Sequence, residues 1–167
     1  MRGLAVLGPL LGAILVAQAF AASSSPATVP CSDVVGQAKT GRDAGYRVVL
    51  GVVSVPPARL TQVVATGSTR WPYWRKAGLV VRASSLPVRV AVPRAWRKRA
   101  AITWGSSGTV GALTIAACPS PPQLWNAYAG GFLLRTRREC VPLTFTVGRR
   151  SQTVRFGLGG RCRPLRQ

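Results

Sequence analysis

The chain contains no histidine and only three acidic residues, Asp33, Asp43 and Glu139, among 167 residues. A Ser-His-Asp or Cys-His arrangement needs an imidazole base, and glycoside or aspartyl chemistry needs two carboxyl groups at one site. The segment Gly105-Ser106-Ser107-Gly108 lacks the spacing and the lysine of a phosphate-binding loop, and no serine stands in an S-x-x-K context. These shortages predict a protein that is not an enzyme and uses neither a cofactor nor a metal.

The scarcity of acids leaves the chain with a formal net charge of +20. Arginine outnumbers lysine by 20 to 3, which a GC-rich coding bias also produces. Asp and Glu have GC-rich codons as well, so that bias does not account for their shortage. Because a large surplus of one charge repels itself unless salt or an anionic partner screens it, we expect an anionic partner.

Long apolar runs are confined to the N-terminus. Arg2 precedes an apolar stretch over 4–17, and Ala19-Phe20-Ala21 forms an A-x-A cleavage pattern, as in secretory signal peptides. The alternative, an uncleaved anchor helix, needs roughly 20 apolar residues, and this stretch is shorter. We expect a signal peptide over 1–21 and a mature chain that is secreted or associated with the cell envelope and has no transmembrane span. Without Arg2, 22 basic and three acidic residues give the mature chain a charge of +19.

The cysteines are few, and their spacing argues against a redox pair or a zinc site. Cys31, Cys118, Cys140 and Cys162 include no C-x-x-C pair, and an even number in an exported chain favours disulfides. Three pairings are possible. We expect Cys31–Cys162, which would tie the chain ends together, and Cys118–Cys140, whose loop closure is worth roughly 3 kcal/mol.

Valine-rich runs broken by proline and glycine fill the chain from Tyr46 onward and predict an all-β fold. The runs predicted as strands are 48–55, 60–65, 79–82, 88–92, 101–104, 110–117, 132–134, 141–147 and 153–158. Apolar residues alternate most clearly in the last two, as in strands with one buried face. Short strands with regular turn signals are typical of an antiparallel β-sandwich. We expect immunoglobulin-like packing in a single domain over 31–162.

Four segments depart from this strand pattern. Residues 22–30 have the Ser, Pro and Ala content of a flexible spacer, and 163–167 form a basic tail. A weak helix is expected between Cys31 and Gly45. Within 118–140, a short helix through Leu124, Trp125 and Tyr128 is expected, with Ser120 as its cap and Gly130-Gly131 at its end. That segment would be a disulfide-closed insertion in the sandwich.

Two stretches interleave aromatic and cationic side chains and are the candidate anion-binding sites. They comprise Arg70, Trp71, Tyr73, Trp74, Arg75 and Lys76, and then Arg94, Trp96, Arg97, Lys98 and Arg99. Aromatic rings stack on bases or sugars, while guanidinium groups bind phosphate or carboxylate in two-pronged fashion. The alternative for the first stretch is that its tryptophans belong to the core and its cations are solvated. The alternative for the second is a basic hairpin that keeps a sheet edge from pairing with other chains.

Four short motifs lie in the C-terminal part of the chain. They are Gly130-Gly131-Phe132, Cys140-Val141-Pro142-Leu143 and Phe156-Gly157-Leu158-Gly159 ahead of Cys162, with Ile102-Thr103-Trp104-Gly105 upstream. This arrangement resembles a group of small exported bacterial proteins that are uncharacterised in function. The resemblance implies no activity and no functional role for any residue.

Two functional hypotheses follow. The first is an exported, disulfide-stabilised, basic β-sandwich that binds an anionic envelope or extracellular polymer, or an anionic membrane surface, without catalysis. The second is a structural or protein-interaction module, such as an inhibitor or surface accessory domain. Its anchor for a protein partner would be the segment with Pro121, Pro122, Trp125 and Tyr128, because exposed aromatic side chains on a rigid loop commonly anchor interfaces.

Overall fold

A computed structural model describes residues 26–42, 45–83, 85–121 and 123–162. The expected signal peptide over 1–21 and the basic tail over 163–167 lie outside these residues. The strands are β1 Ala27–Val29, β2 Val34–Ala38, β3 Arg47–Val49, β4 Val53–Val55, β5 Arg59–Leu60, β6 Val64–Ala65, β7 Tyr73–Lys76, β8 Leu79–Arg82, β9 Val88–Ala91, β10 Ala100–Trp104, β11 Ala112–Ile115, β12 Trp125–Tyr128, β13 Gly130–Leu134, β14 Glu139–Val147 and β15 Arg150–Leu158. Two 3-10 helices, Cys31–Asp33 and Arg94–Trp96, complete the described part. Neither is long or apolar enough to cross a membrane.

The strands form three sheets, so the all-β prediction is confirmed. The first sheet has the order β1-β11-β9-β14-β15-β5, the second β10-β13-β7-β6, and the third β2-β12-β8-β4-β3. Most neighbours are antiparallel, as in a β-sandwich, and only β1 with β11 and β15 with β5 are parallel. The hairpin that connects β10 to β11 spans two sheets: the isolated bridge Ile102–Val110 joins β10 to the residues just before β11, and the two strands belong to different sheets.

One hydrophobic cluster holds the sheets together. Trp104 of β10 meets Phe132 of β13 edge-on at 5.9 Å between ring centroids, and Phe132 meets Phe156 of β15 at 5.4 Å. Buried valines and leucines of the third sheet, such as Val53 and Leu79, join the same cluster. Burial of this apolar surface is the main stabilising contribution to the fold.

The longest hairpin follows its sequence pattern closely. Val141, Leu143 and Phe145 of β14 are buried, as are Val154, Phe156 and Leu158 of β15, so the predicted alternation is confirmed. Pro142 pairs only with β15, because β9 begins to pair with β14 at Thr144. The position therefore has the free side on which a strand tolerates proline.

The helix expected within 118–140 is wrong. Residues 125–128 form β12, which pairs with β2 on one side and β8 on the other. Gly130-Gly131 do not end a helix but begin β13. Trp125 and Tyr128 are 9% and 1% exposed, and the Trp125 ring packs against Gly41. Their burial between two neighbouring strands outweighs the helix-start signals at Ser120 and Pro121.

The N-terminal predictions also need correction. Residues 27–29 belong to β1, although the composition predicts a flexible spacer over 22–30. Only one 3-10 turn forms after Cys31, and Val34–Ala38 is the edge strand β2 instead of part of a helix. In both places the backbone adds to an existing strand, which local propensity does not reveal.

Two predicted strands are each split by a turn. The run 48–55 becomes the hairpin of β3 and β4, in which Leu50 and Gly51 have φ values of 53° and 77°. Two central residues with positive φ define the tight hairpin turn whose twist matches its strands, and leucine is an unusual residue there. The run 60–65 likewise divides into β5 and β6, which belong to different sheets.

All four cysteines form disulfides as predicted, but the expected pairing is wrong. The structure joins Cys31 to Cys118 and Cys140 to Cys162. Because β1 lies parallel to β11, the residues that follow these strands, Cys31 and Cys118, come together. The hairpin of β14 and β15 places Cys140 opposite Gly157, so the chain end returns to Cys140.

Candidate anion-binding groove

A surface groove of about 740 Å³ is lined by strands of the first and second sheets and by their connecting loops. We call it the arginine groove, because its charged side chains are Arg70, Arg89 and Arg97. Its other lining residues are Pro26, Ala27, Ser68, Trp71, Ala100, Ala101, Thr109, Val110, Gly111 and Ala112. Apart from Trp71, these residues are small, and none of them is charged. Among the described residues that line the groove, none is acidic.

Arg70 and Trp71 reach the groove from the loop 66–72, which its own hydrogen bonds hold in shape. Thr66 Oγ1 donates to the Trp71 carbonyl at 2.6 Å, and the Ser68 N–H donates to Thr66 Oγ1 at 3.1 Å. The Trp71 N–H donates to Ser68 Oγ at 3.2 Å. A loop closed in this way is preorganised, so a ligand does not have to order it.

Arg135, which follows β13, fixes the same loop from outside. Its Nη1 donates to the carbonyl of Thr69 at 3.1 Å and to the carbonyl of Arg70 at 2.6 Å. Because the Arg135 guanidinium binds only backbone carbonyls of the loop, it leaves the Arg70 side chain available for a ligand. Arg135 is therefore a positioning residue. Neither candidate stretch includes Arg135, because its loop partners lie 66 and 65 positions away along the chain.

Arg97 lies in the turn after the second 3-10 helix and is oriented by two contacts. Its Nε donates to the Val92 carbonyl at 3.1 Å. Its aliphatic stem crosses Gly111, where an added Cβ would lie 2.9 Å from Arg97 Cδ. The glycine therefore leaves room for the arginine stem. With Nε occupied, the terminal nitrogens of Arg97 remain to face a ligand.

Arg89 is the groove arginine that neither candidate stretch contains. Arg89 lies exposed on the outer face of β9, while its neighbours Val88 and Val90 are fully buried on the other face. A lone outward arginine on a strand carries no clustering signal. What identifies it is the fold, which brings β9 beside the loop 66–72 and the hairpin of β10 and β11.

The groove keeps its positive charge because the described acids are bound elsewhere. Glu139 accepts hydrogen bonds from Arg99 at 2.7 and 3.3 Å and from Thr136 at 2.8 Å. Asp33 accepts both from the hydroxyl and from the N–H of Ser106 at 2.7 Å. The Ser106 hydroxyl, followed by its N–H, lowers the pKa of Asp33. In the described part of the chain, Arg70 and Arg89 have no hydrogen bond or ion pair at their guanidinium groups.

The first predicted stretch divides between the groove and the sheet. Arg70 and Trp71 line the groove, whereas the residues from Tyr73 to Lys76 form β7. Tyr73 packs against the core, and Trp74 lies between Val64 and Leu133 of the neighbouring strands.

Arg75 and Lys76 do not reach the groove. Arg75 lies beside Phe132 on the core side of β7, and its Nη1 donates to the Gln62 carbonyl at 3.0 Å. Lys76 is exposed at the end of the strand. Residues 73–76 therefore stand outside the groove, and the binding hypothesis continues only for Arg70 and Trp71.

The second predicted stretch contributes a single residue to the groove. Arg97 lines it, while Arg94 and Lys98 are exposed outside its lining. Trp96 packs against the core, and the Arg99 guanidinium lies 4.3 Å above the Trp96 ring on its way to Glu139. Aromatic stacking in this stretch is thus an internal cation-π contact.

The geometry supports noncovalent recognition of negative charge. Three guanidinium groups with one half-buried tryptophan offer planar donor forks and an aromatic edge along one open cleft. No protein-family model, curated protein or solved structure matches the chain, so the chemistry of the arginine groove is what indicates its ligand.

Proposed function

We propose that the protein is a non-enzymatic binder of an anionic polymer in the cell envelope or outside the cell, and that the arginine groove is its binding site. The observation that carries this proposal is the convergence of Arg70, Arg89 and Arg97 in one groove whose described lining includes no acidic residue. A net charge of +20 attracts any polyanion, but diffuse charge alone would not require arginines with free donors in one cleft.

An open groove favours a polymer over a small anion. An enclosed pocket would surround a single ligand, whereas this groove is open to solvent and most of its lining residues are small. A repeating chain of negative charges can contact all three arginines at once. Release of its counterions then makes the affinity strongly dependent on salt, as in other polyanion complexes.

Export and the immunoglobulin-like form of the sandwich remain predictions that accompany this proposal. The two disulfides are consistent with an oxidising compartment. The alternative of a protein-interaction module loses the anchor named for it, because Trp125 and Tyr128 are buried. Its remaining segment, around Pro121, offers no exposed aromatic group.

The test compares two triple variants that lose the same charge. Arg70→Gln, Arg89→Gln and Arg97→Gln remove the groove arginines, whereas Arg94→Gln, Lys98→Gln and Arg149→Gln remove three exposed cations outside it. Affinities for heparin and for inorganic polyphosphate are measured by titration calorimetry at about 50 to 300 mM NaCl. Over this range, the loss of about three ionic contacts should visibly reduce the slope of log affinity against log salt concentration.

The groove variant should bind both polymers at least roughly 100-fold more weakly, because three lost hydrogen bonds of at least about 1 kcal/mol each remove about 3 kcal/mol or more. The control variant should lose less than about fivefold, since exposed charges act only through the general field. Equal losses in the two variants would show that binding is diffuse, and the groove would then have no special role.

A further inference from the structure

The outer face of the first sheet carries rows of hydroxyl groups that run away from the arginine groove. Thr28 of β1 lies opposite Thr114 of β11, and Thr114 lies opposite Arg89 of β9. Arg89 in turn lies opposite Thr146 of β14, which pairs with Ser151 of β15. A second row continues from Ala91 through Thr144 to Thr153. We call this surface the hydroxyl face, comprising Thr28, Thr114, Thr144, Thr146, Ser151 and Thr153.

This face is continuous with the groove because Arg89 belongs to both. Arg89 lines the groove, and its two neighbours across the strands are the threonines 114 and 146. Neighbouring strands lie about 4.8 Å apart, so the hydroxyl groups follow one another at a spacing comparable to that of polar groups along a sugar chain. Arg155, opposite Pro142, adds a second cation on the same side of the sheet.

The hydroxyl groups retain capacity for a ligand. Thr144 and Thr153 share one hydrogen bond of 2.9 Å between their hydroxyls, and Thr146 and Ser151 share one of 2.8 Å. Each hydroxyl has one donor and two acceptor positions, so every pair still has one free donor and several free acceptors. The serine and Thr153 are exposed and the other members of these pairs are half-buried. Both donors and acceptors are therefore presented to solvent.

This combination distinguishes between kinds of polyanion. A polyphosphate chain has only acceptor oxygens and can use only the donors of the face. An acidic sugar offers carboxylate or sulfate groups to the arginines and, on the same residue, hydroxyl groups that donate as well as accept. Trp71 at the groove wall supplies the aromatic surface against which a sugar ring packs.

We infer that the ligand of the arginine groove is an acidic polysaccharide whose chain continues over the hydroxyl face from Arg89. This inference rests on the proposed function and narrows it to one chemical class. The arginines contribute attraction to the acidic groups, and the hydroxyl face contributes selection for sugar over other polyanions.

The experiment uses the full mature chain with polygalacturonate and inorganic polyphosphate as probes. The variant Thr114→Val, Thr144→Val and Thr146→Val removes three hydroxyls but keeps β-branched residues suited to strands. The control variant Ser32→Ala, Thr61→Val and Ser85→Ala removes three hydroxyls that lie outside both the groove lining and the hydroxyl face. Circular dichroism and thermal melting verify that each variant is folded before affinities are compared.

The expected result is a loss of roughly tenfold in affinity for polygalacturonate with the face variant, from hydrogen bonds worth about half to one and a half kcal/mol each. Polyphosphate affinity should change less, by no more than about threefold, because Thr153 and Ser151 are released from their shared hydrogen bonds and still offer one donor per pair, so that only the Thr114 donor is lost. The control variant should match the wild type with both probes. If the face variant binds polygalacturonate as the wild type does, or if the wild type binds only polyphosphate, the inference is overturned and the proposed function stands. If the wild type binds neither polymer, both are overturned.

Discussion

The protein uses arginine in two contrasting regions. In the groove region, Arg70 and Arg89 have no protein partner at their guanidinium groups within the described chain. In the second region, which we call the rim, Arg99 stacks on Trp96 and forms two hydrogen bonds to the buried Glu139. The same residue type is therefore available for a ligand in one place and structural in the other, and the presence of an internal acceptor decides which.

Each region also has its own disulfide. Cys31–Cys118 lies next to β1, whose Ala27 forms part of the groove wall. Cys140–Cys162 lies next to Glu139 of the rim, and Arg155 Nε lies 3.3 Å from Cys140 Sγ. The comparison between the regions can therefore be tested at the level of covalent links, ion pairs, loop contacts and single hydroxyls.

The largest expected effect comes from removing each disulfide in turn. Cys31→Ser with Cys118→Ser opens a loop of 87 residues, and Cys140→Ser with Cys162→Ser one of 22 residues. Loop-closure entropy gives losses in the free energy of unfolding of about 4.6 and about 3.4 kcal/mol. Urea denaturation measures both, and only the first variant should also weaken polymer binding. The reverse order of stability would contradict the comparison.

Glu139→Ala should have the next largest effect, confined to the rim. The carboxylate side chain is 2% exposed and Arg99 54% exposed, so the pair is screened by water on one side only. Hydrogen bonds to charged groups suggest a loss of about 2 kcal/mol in the free energy of unfolding. Urea denaturation measures this loss, with Arg138→Gln as an exposed control near zero. Polymer affinity should stay within about twofold, and a large loss of affinity would show that the regions are not independent.

Arg135→Gln should affect the groove region without a comparable loss of stability. The variant loses two hydrogen bonds to the carbonyls of Thr69 and Arg70, so the loop 66–72 becomes less ordered. We expect about a fivefold weaker Kd for heparin, equivalent to about 1 kcal/mol. The lysine variant, Arg135→Lys, can reach one carbonyl and should restore part of the affinity. An unchanged Kd would remove the positioning role.

The smallest effect concerns Asp33 and pH. Hydrogen bonds from Ser106 lower the pKa of Asp33 below its usual value in the folded state. Stability from this carboxylate is therefore complete above the unfolded pKa, near 3.9, and is lost as the pH falls through the folded pKa. Ser106→Ala should flatten the pH dependence of the thermal midpoint between about pH 5 and pH 2. The same slope with and without Ser106 would disprove this assignment.

The sequence predicts most of the strands correctly where one face of the strand is buried. The alternation of Val141, Leu143 and Phe145 identifies β14 because a period of two has no helical interpretation. The helix predicted through Trp125 and Tyr128 was wrong because these residues form β12, which pairs with a strand on each side. The helix-start signal at Ser120 acts over one turn only and does not outweigh this pairing. Leu50 hides a hairpin turn, since positive φ is rarely taken by leucine.

The sequence predicts only part of the candidate site. Arg70, Trp71 and Arg97 stand out because they lie in charged aromatic stretches, but the sequence does not show that Arg99 has an internal acceptor at Glu139, 40 residues away. Arg89 carries no local signal and is recognised only when β9 and the loop 66–72 border one cleft. Long-range juxtaposition, like the disulfide pairing, depends on which strands become neighbours.

The hairpin that divides between two sheets has a consequence for how a bound polymer acts on the molecule. Because β10 and β11 belong to different sheets and residues of both line the groove, a polymer bound there contacts two sheets at once. Since the groove exists only when both sheets are folded, the bound polymer stabilises the folded state against unfolding. When the free polymer concentration is 100 times the Kd, its binding raises the free energy of unfolding by about 2.7 kcal/mol.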